Sequence, residues 1–423
     1  MSLGQRLKEI REGFERPFWV ANISEIFERL SYYGAFASLA NYLHEKLNFP
    51  TEQTGTLAGI FGGMVWFLAI FGGAAADKLG FRRALSLAYM ILAIAYFLLG
   101  SLGAPWLAPI RGFIPPTIFV GVILVLPALG ISMVKPCVVG TTARASKENV
   151  RSIGYSIYYT MVNIGGAAGP YVASWAHRNL GVENVFRVAA LSVLAMFFAV
   201  LIFFREPKRL SDAPAPSISE TLRNFLTVLT NPKFMIFLLI FTGYWIVFWQ
   251  QYISLPGYIH GYIKADADVE LILITDGLAV ICFTVLINYS MRKVPAFGAV
   301  ILGTLISSFC WLILAFQPTV LGAVLSILVL ALGEMIQAPR YYEYIAKLAP
   351  SDQQGTYMGF AFLPIGIGSL IGGWFGGRVM HEFAEVAHQP QRAWWVISGV
   401  GLLTTLLLWI YDRVVKPSTV SAP

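Results

Sequence analysis

Apolar runs of twenty or more residues alternate with short polar connections along almost the whole 423-residue chain. About twelve runs are long enough to cross roughly 30 Å of hydrocarbon. They lie near 17–43, 53–76, 83–103, 112–140, 152–177, 184–204, 233–262, 269–291, 295–316, 319–347, 355–378 and 392–412. A strand-built barrel would instead show short alternating segments, so the pattern predicts helices. One stretch interrupts it: residues 205–232 are long, polar and rich in proline. They divide the spans six and six, which predicts a first bundle over 1–204, a cytoplasmic linker over 205–232 and a second bundle over 233–423.

Composition agrees. Hydrophobic residues make up 57% and charged residues only 13%, with a mean hydropathy of +0.67; a soluble domain carries about 25% charged residues. The net charge of +7 comes from basic residues clustered in short loops, so no nucleic-acid partner is expected. Cys137, Cys282 and Cys310 lie inside apolar runs without metal-ligand spacing and read as small core residues, so neither metal nor cofactor is expected. Residues 1–16 are charged and show no apolar segment with a small-residue cleavage site, so no cleavable signal peptide is expected.

Lysine and arginine set the expected orientation. With the N-terminus inside, the cytoplasmic segments hold Arg6, Lys8, Arg11, Arg16, Lys78, Arg82, Arg83, Arg144, Lys147, Arg151, Arg205, Lys208, Arg209, Arg223, Lys233, Arg292, Lys293, Lys347, Arg413 and Lys416. The opposite segments hold only Lys46, Arg111, Arg178, Arg187, Lys264, Arg378 and Arg392. A multi-pass protein of the cell (inner) membrane with both termini cytoplasmic is expected, and a monomer.

The halves repeat. Ala128-Leu-Gly130-Ile-Ser-Met-Val-Lys135-Pro136 reads against Ala331-Leu-Gly333-Glu334-Met-Ile-Gln-Ala-Pro339, an offset of 203 residues. Asn163-Ile-Gly165-x3-Gly169 reads against Gly366-Ile-Gly368-x3-Gly372 at the same offset. Spans four and five therefore correspond to ten and eleven. The predicted fold class is an all-α membrane protein of twelve transmembrane helices in two pseudo-symmetric six-helix halves, similar to the major facilitator superfamily.

The charges do not repeat. Lys135 aligns with Ala338, and Glu334 with Ile131. Glu25, Glu28 and Arg29 stand in the first span, where each charge costs roughly 2.5–3.5 kcal/mol unless it faces a partner or a wet cavity. Their spacing places them on one helix face with Tyr32 and Phe36. Charges held on one side of a pseudo-symmetric frame point to a ligand with two unlike ends. Tyr155, Tyr159 and Asn163 share a face of span five and are candidates for substrate contacts or for interhelical hydrogen bonds. Gln337, Ala338 and Tyr341 share the face of Glu334, while Arg340 and Glu343 form a structural or gating pair. Trp245 and Trp249, followed by Gln250 and Gln251, are either aromatic packing or cavity lining. Asp276 begins span eight as a solvated or a buried carboxylate. None of the five histidines makes a metal pair, and none is assigned a role.

After span two, Gly73-Ala-Ala-Ala-Asp77-Lys-Leu-Gly80-Phe-Arg82-Arg83 is similar to the superfamily signature Gly-x3-Asp-x2-Gly-[Arg/Phe]-[Arg/Lys]. The physics is a cytoplasmic clasp, with Asp77 near a helix N-terminus and Arg82 and Arg83 pairing acidic or carbonyl groups.

Glu25-x-x-Glu28-Arg29-Leu30-x-Tyr32-Tyr33-Gly34 resembles the Glu-x-x-Glu-Arg-Phe-x-Tyr-Tyr-Gly signature of the proton-dependent oligopeptide transporter family, with Leu30 for Phe. Lys135-Pro136, Tyr155-Ser-Ile with Asn163-Ile-Gly165, and Gly333-Glu334-Met with Pro339 resemble further motifs of that family, over most of the chain. The resemblance implies a proton symporter that imports di- or tripeptides, or peptide-like solutes, by alternating access. It implies proton coupling at Glu25, Glu28, Arg29 and Lys135, with Asp276 the candidate for a further carboxylate. It implies substrate contacts from Arg29, Tyr32, Tyr33, Lys135, Asn163 and Glu334, and the reading of the helix faces adds Phe36, Tyr159, Trp249, Gln250 and Tyr341 as candidates. Lys135 and Arg29 would face an anionic end and Glu334 an amino end. The partners implied are protons, a small-molecule substrate and the bilayer. Phe36 stands where peptide carriers of the family usually have a second arginine, and Trp249, Gln250 and Gln251 stand where they have an acidic residue. The chain reads as a divergent member. An exporter, or a carrier of another amphoteric or anionic metabolite, is the second reading. No catalytic triad, metal cluster or phosphate loop points to an enzyme.

Overall fold

The computed structural model describes residues 12–208, 223, 226–349 and 354–415. Arg6, Lys8, Arg11, Lys416 and most of the 205–232 linker lie outside the described residues, as does the side chain of Asp77. Twelve long helices follow one another among the described residues. They are α1 (Arg16–Asn41), α2 (Thr51–Leu79), α3 (Phe81–Leu99), α4 (Pro116–Arg144), α5 (Arg151–Leu180), α6 (Val182–Phe203), α7 (Pro232–Phe248), α8 (Val269–Ser290), α9 (Ala296–Phe316), α10 (Val320–Leu348), α11 (Leu363–Met380) and α12 (Pro390–Val414). Two short turns, Gln250–Ile253 and Leu255–Tyr258, prolong α7. By length and composition, nine helices among the described residues can cross a membrane. The protein is a multi-pass membrane protein.

Local chemistry explains several helix ends. α1, α4, α7 and α12 carry proline in the first turn, where the missing N–H has no intrahelical acceptor to lose. Asn231 and Thr319 cap α7 and α10 by accepting from the amides of Phe234 and Gly322. α1, α7 and α11 finish alike, widening to i→i+5 hydrogen bonds from Leu47 to Tyr42, Lys264 to Ile259 and Ala387 to Glu382.

The chain forms two compact units. The first comprises Met1–Phe49, Ile60–Thr221 and Asp268–Ile274; the second comprises Pro50–Gly59, Leu222–Ala267 and Thr275–Pro423. The opening turns of α2 and α8 thus pack with the unit that does not hold the rest of their helix.

Within the first unit α5 lies directly on α1. A Cβ on Gly169 would stand 2.6 Å from the Leu30 carbonyl oxygen, and one on Gly165 would collide with that of Ile26. Within the second unit α11 meets α7 through the repeat-related glycines. Cβ atoms at Gly368 and Gly372 would stand 3.1 Å and 3.4 Å from the carbonyl oxygens of Thr242 and Ile246. Small residues let backbones approach where lipid offers no hydrophobic drive for association. The two seams share one register: Ile26 and Thr242 are 216 residues apart, and so are Leu30 and Ile246. In that register Glu25 corresponds to Phe241, Glu28 to Tyr244, Arg29 to Trp245 and Tyr32 to Phe248. Aromatic rings in α7 therefore occupy the places that charges occupy in α1.

Candidate functional site

The first unit holds a buried charge cluster. Glu25 and Glu28 are completely buried and Arg29 is 3% exposed. The Arg29 Nε lies 2.5 Å from Glu28 Oε2 and 3.5 Å from Glu25 Oε1. The i, i+3, i+4 spacing along α1 brings all three to one face. Lys135, one residue before the proline inside α4, acts electrostatically on Glu25, Glu28 and Arg29. Its Nζ stands 4.7 Å from the centre of the Trp66 ring. Two acids and two bases thus act on one another with formal charge balance, the condition under which buried charges are tolerated.

The balance is not saturated. Among the described residues, both carboxylate oxygens of Glu25, Oε1 of Glu28 and one terminal nitrogen of Arg29 are buried without a hydrogen bond. Among the described residues the buried hydroxyls of Tyr32 and Tyr96 have no hydrogen-bond partner, and the Tyr89 hydroxyl lies beside Ser24. Tyr89 and Tyr96, seven residues apart on α3, both interact electrostatically with this cluster. Sequence reasoning passed over them, although that spacing and their aromatic character on one helix face were legible.

Aromatic packing surrounds the charges. The Arg29 guanidinium sits 5.4 Å from the Tyr32 ring centre. Tyr32 stacks on Phe61 at 5.4 Å, and Phe36 meets Phe61 edge-on at 5.2 Å. Phe36 is fully buried in this stack. Tyr33 touches Tyr32 at 5.2 Å. Asn163 donates to the Tyr159 carbonyl along its own helix at 2.8 Å, and the Tyr159 ring is 55% exposed.

At the end of α2, Gly80 adopts φ +82°, and α3 starts at Phe81. Glu206 accepts from the backbone N–H groups of Phe81 and Arg82, both at 2.8 Å. A carboxylate across the first amides of a helix satisfies orphan donors and complements the helix dipole. Arg82 also reaches the Leu201 carbonyl at 2.7 Å, whereas Arg83 is exposed. Nothing in the local spacing linked Glu206 to Gly80, because 126 residues separate them.

The second unit has carboxylates of its own. Asp276 on α8 is buried, Glu334 on α10 is half-buried, and the two interact electrostatically. Ala279, one turn beyond Asp276, packs with Ala331 and Met335, which flank Glu334. Gln251, completely buried, faces Asp276, and among the described residues its carboxamide makes no hydrogen bond of ordinary geometry. Gln250 is differently engaged. Its amide donates to the carbonyls of Ile246 and Gly372 at 2.9 and 3.0 Å, and its oxygen accepts from Ser254 at 2.6 Å. Trp249 donates to the Ile365 carbonyl at 3.1 Å, and Tyr341 to that of Ala361 at 2.8 Å while stacking on Phe241 at 4.4 Å. Three of the residues singled out for substrate contact, Trp249, Gln250 and Tyr341, therefore bind backbone carbonyls. Arg340 and Glu343 pair at 2.6 Å, with Arg340 also on the Met291 carbonyl and Lys347 also on Glu343. Among the described residues no group of three or more His, Cys, Asp or Glu could hold a metal ion.

Curated relatives include the multidrug resistance protein MdtH of Klebsiella pneumoniae subsp. pneumoniae, 22% identical over 386 residues and covering 90% of each chain. The MdtH of Edwardsiella ictaluri is 22% identical over 399 residues, 94% of each chain. Among solved structures, a POT family transporter in complex with a thioalcohol-conjugated peptide matches with a TM-score of 0.79 at 17% identity, over 95% of this chain and 97% of that one. The nucleoside transporter NupG matches with a TM-score of 0.79 at 13% identity, over 93% of this chain and 99% of that one. At such identities the likeness is one of fold. The family model for the Major Facilitator Superfamily matches residues 22–372, which takes in most of α1, both repeat motifs and more than half of α11. With the helical architecture, the repeated glycine seams and that match together, the chain belongs to the Major Facilitator Superfamily.

Proposed function

We propose that this membrane transporter is a proton-coupled symporter that imports peptide-like or other small amphoteric solutes by alternating access. The observation that carries the reading is the buried Glu25–Glu28–Arg29 cluster within electrostatic range of Lys135. Proton arrival at a carboxylate would release Arg29 or Lys135 to a new partner. Exchange of partners between two packed arrangements is a physical route from proton binding to conformational change. Lys135 and Arg29 are the candidates for an anionic substrate group, and Tyr32, Tyr33, Tyr159 and Asn163 of the same unit are candidate polar contacts. Glu334 and Asp276 are the candidates for a cationic group and a further proton. The excess of lysine and arginine in one set of loops supports an orientation with both termini in the cytoplasm.

Purified protein in liposomes, given an inward proton gradient, should accumulate labelled dialanine, and a protonophore should abolish the accumulation. No proton-dependent uptake across a panel of dipeptides and amino acids would remove the symport reading. A second reading, export of drugs, is favoured by relatives named for multidrug resistance. It predicts substrate extrusion from cells driven by the proton gradient, and no dialanine uptake.

A further inference from the structure

The least expected polar cluster lies where α8 begins. Glu270 is 2% exposed, yet it accepts from Ser38 Oγ of α1 and from His177 Nδ1 of α5, both at 2.8 Å. Two residues earlier, Asp268 caps α8 by accepting from the Leu271 amide at 3.1 Å. The other Asp268 oxygen accepts from Ser174 Oγ at 2.6 Å and lies 3.2 Å from Arg178 Nε. Ser174, His177 and Arg178 stand at i, i+3 and i+4, one face of α5. The cluster lies in the first unit, which takes in Asp268–Ile274 while the rest of α8 belongs to the second. These contacts hold the opening turns of α8 to α1 and α5.

We infer that His177 is a proton-binding site that clasps the start of α8 to α1 and α5 when charged and releases it when neutral. Imidazole is the side chain whose charge changes in the ordinary physiological range. As imidazolium, His177 gives the buried Glu270 carboxylate a full opposite charge as well as a hydrogen bond; as neutral imidazole it keeps only the hydrogen bond. Arg178 faces Asp268, and Ser38 stays uncharged, so the part of the clasp that responds to pH is the His177–Glu270 contact. The sign follows: the joined state is favoured at low pH and loses that support as pH rises through imidazole deprotonation. The charge of the loops puts this end of α5 and α8 outside. The clasp would then couple external acidity to opening on that side, and the inference stands whatever the cargo or its direction.

The test is a distance measurement between nitroxides on Asn179→Cys and Leu271→Cys, in full-length protein carrying Cys282→Ser and held in lipid nanodiscs. Between about pH 5.5 and about pH 8.5, spanning imidazole titration, the ratio of separated to joined populations should rise about fivefold, the factor that corresponds to roughly 1 kcal/mol. His177→Gln keeps an N–H donor without a titratable charge and should flatten that response. Arg178→Gln should leave it in place. Ser38→Ala should raise the separated population at every pH. A wild-type distribution that does not move with pH, or a His177→Gln response equal to wild type, would overturn the inference. Since the readout is a distance and not uptake, its failure is distinct from failure of the symport reading.

Discussion

Arg29 leans toward Glu28: its Nε stands 2.5 Å from that carboxylate and 3.5 Å from Glu25, although both belong to the same helix face. One guanidinium serving two buried acids makes their roles unequal. Arg29→Gln leaves two carboxylates without their nearest cation, and breaking a buried pair from one side costs about 3–5 kcal/mol. Thermal unfolding in detergent should show a marked fall for Arg29→Gln. Glu25→Gln, which removes the weaker contact, should unfold close to wild type yet lose proton-driven accumulation.

Gln250 and Gln251 are neighbours with different duties. Gln250 fastens the end of α7 to α11 through one hydrogen bond to the Gly372 carbonyl and is itself held by local bonds with Ile246 and Ser254. Gln250→Ala should destabilise the protein by about 1–3 kcal/mol, since buried acceptors lose their donor. Gln251→Ala should leave the unfolding temperature near wild type while altering transport. Comparing both variants by thermal shift and by uptake separates packing from function.

Asp276 on α8 and Glu334 on α10 act on one another across packed helices, where Ala279 meets Ala331 and Met335. Two neighbouring carboxylates, one buried and one half-buried, disfavour simultaneous ionisation. Asp276→Asn removes the like-charge term, so the variant should lose less stability than wild type as pH is raised. Uptake measured against the size of the proton gradient should show a shallower dependence in Asp276→Asn. An unchanged dependence would remove Asp276 from proton coupling.

Glu206 closes the N-terminus of α3 from a position just beyond α6. Glu206→Ala should cost about 0.5–2 kcal/mol, the usual worth of an N-terminal cap. Amide exchange at Phe81 and Arg82 should rise selectively, while exchange in the middle of α3 stays as in wild type.

Gly34 meets α5 so closely that an added Cβ would stand 2.9 Å from the Gly169 carbonyl oxygen. Backbone cannot yield as a flexible side chain can. Gly34→Ala should therefore destabilise by about 1–3 kcal/mol, the ordinary cost of overpacking. A Gly166→Ala control, whose Cβ would rest 3.5 Å from the Tyr33 ring, should be nearly silent in the same thermal assay.

Much was decided by the sequence alone. Runs of apolar residues as long as a bilayer is thick leave helices as the open solution, because lipid satisfies no backbone hydrogen bond. The offset of 203 residues put α4 and α5 in correspondence with α10 and α11, and Glu25, Glu28 and Arg29 on one face followed from helical period. Pairing across the fold was not legible, since it depends on which helix faces meet. Only the tertiary structure showed that α7 follows α1 in a glycine-defined register with rings where α1 has charges. It also separated Gln250, spent on backbone, from Gln251 beside Asp276. Nothing in the sequence pattern singles out Glu270, and His177 is one of five histidines to which the sequence assigns no role. Their partnership arises because α8 starts against α1 and α5, 93 residues beyond His177, a distance over which local sequence carries no contact information.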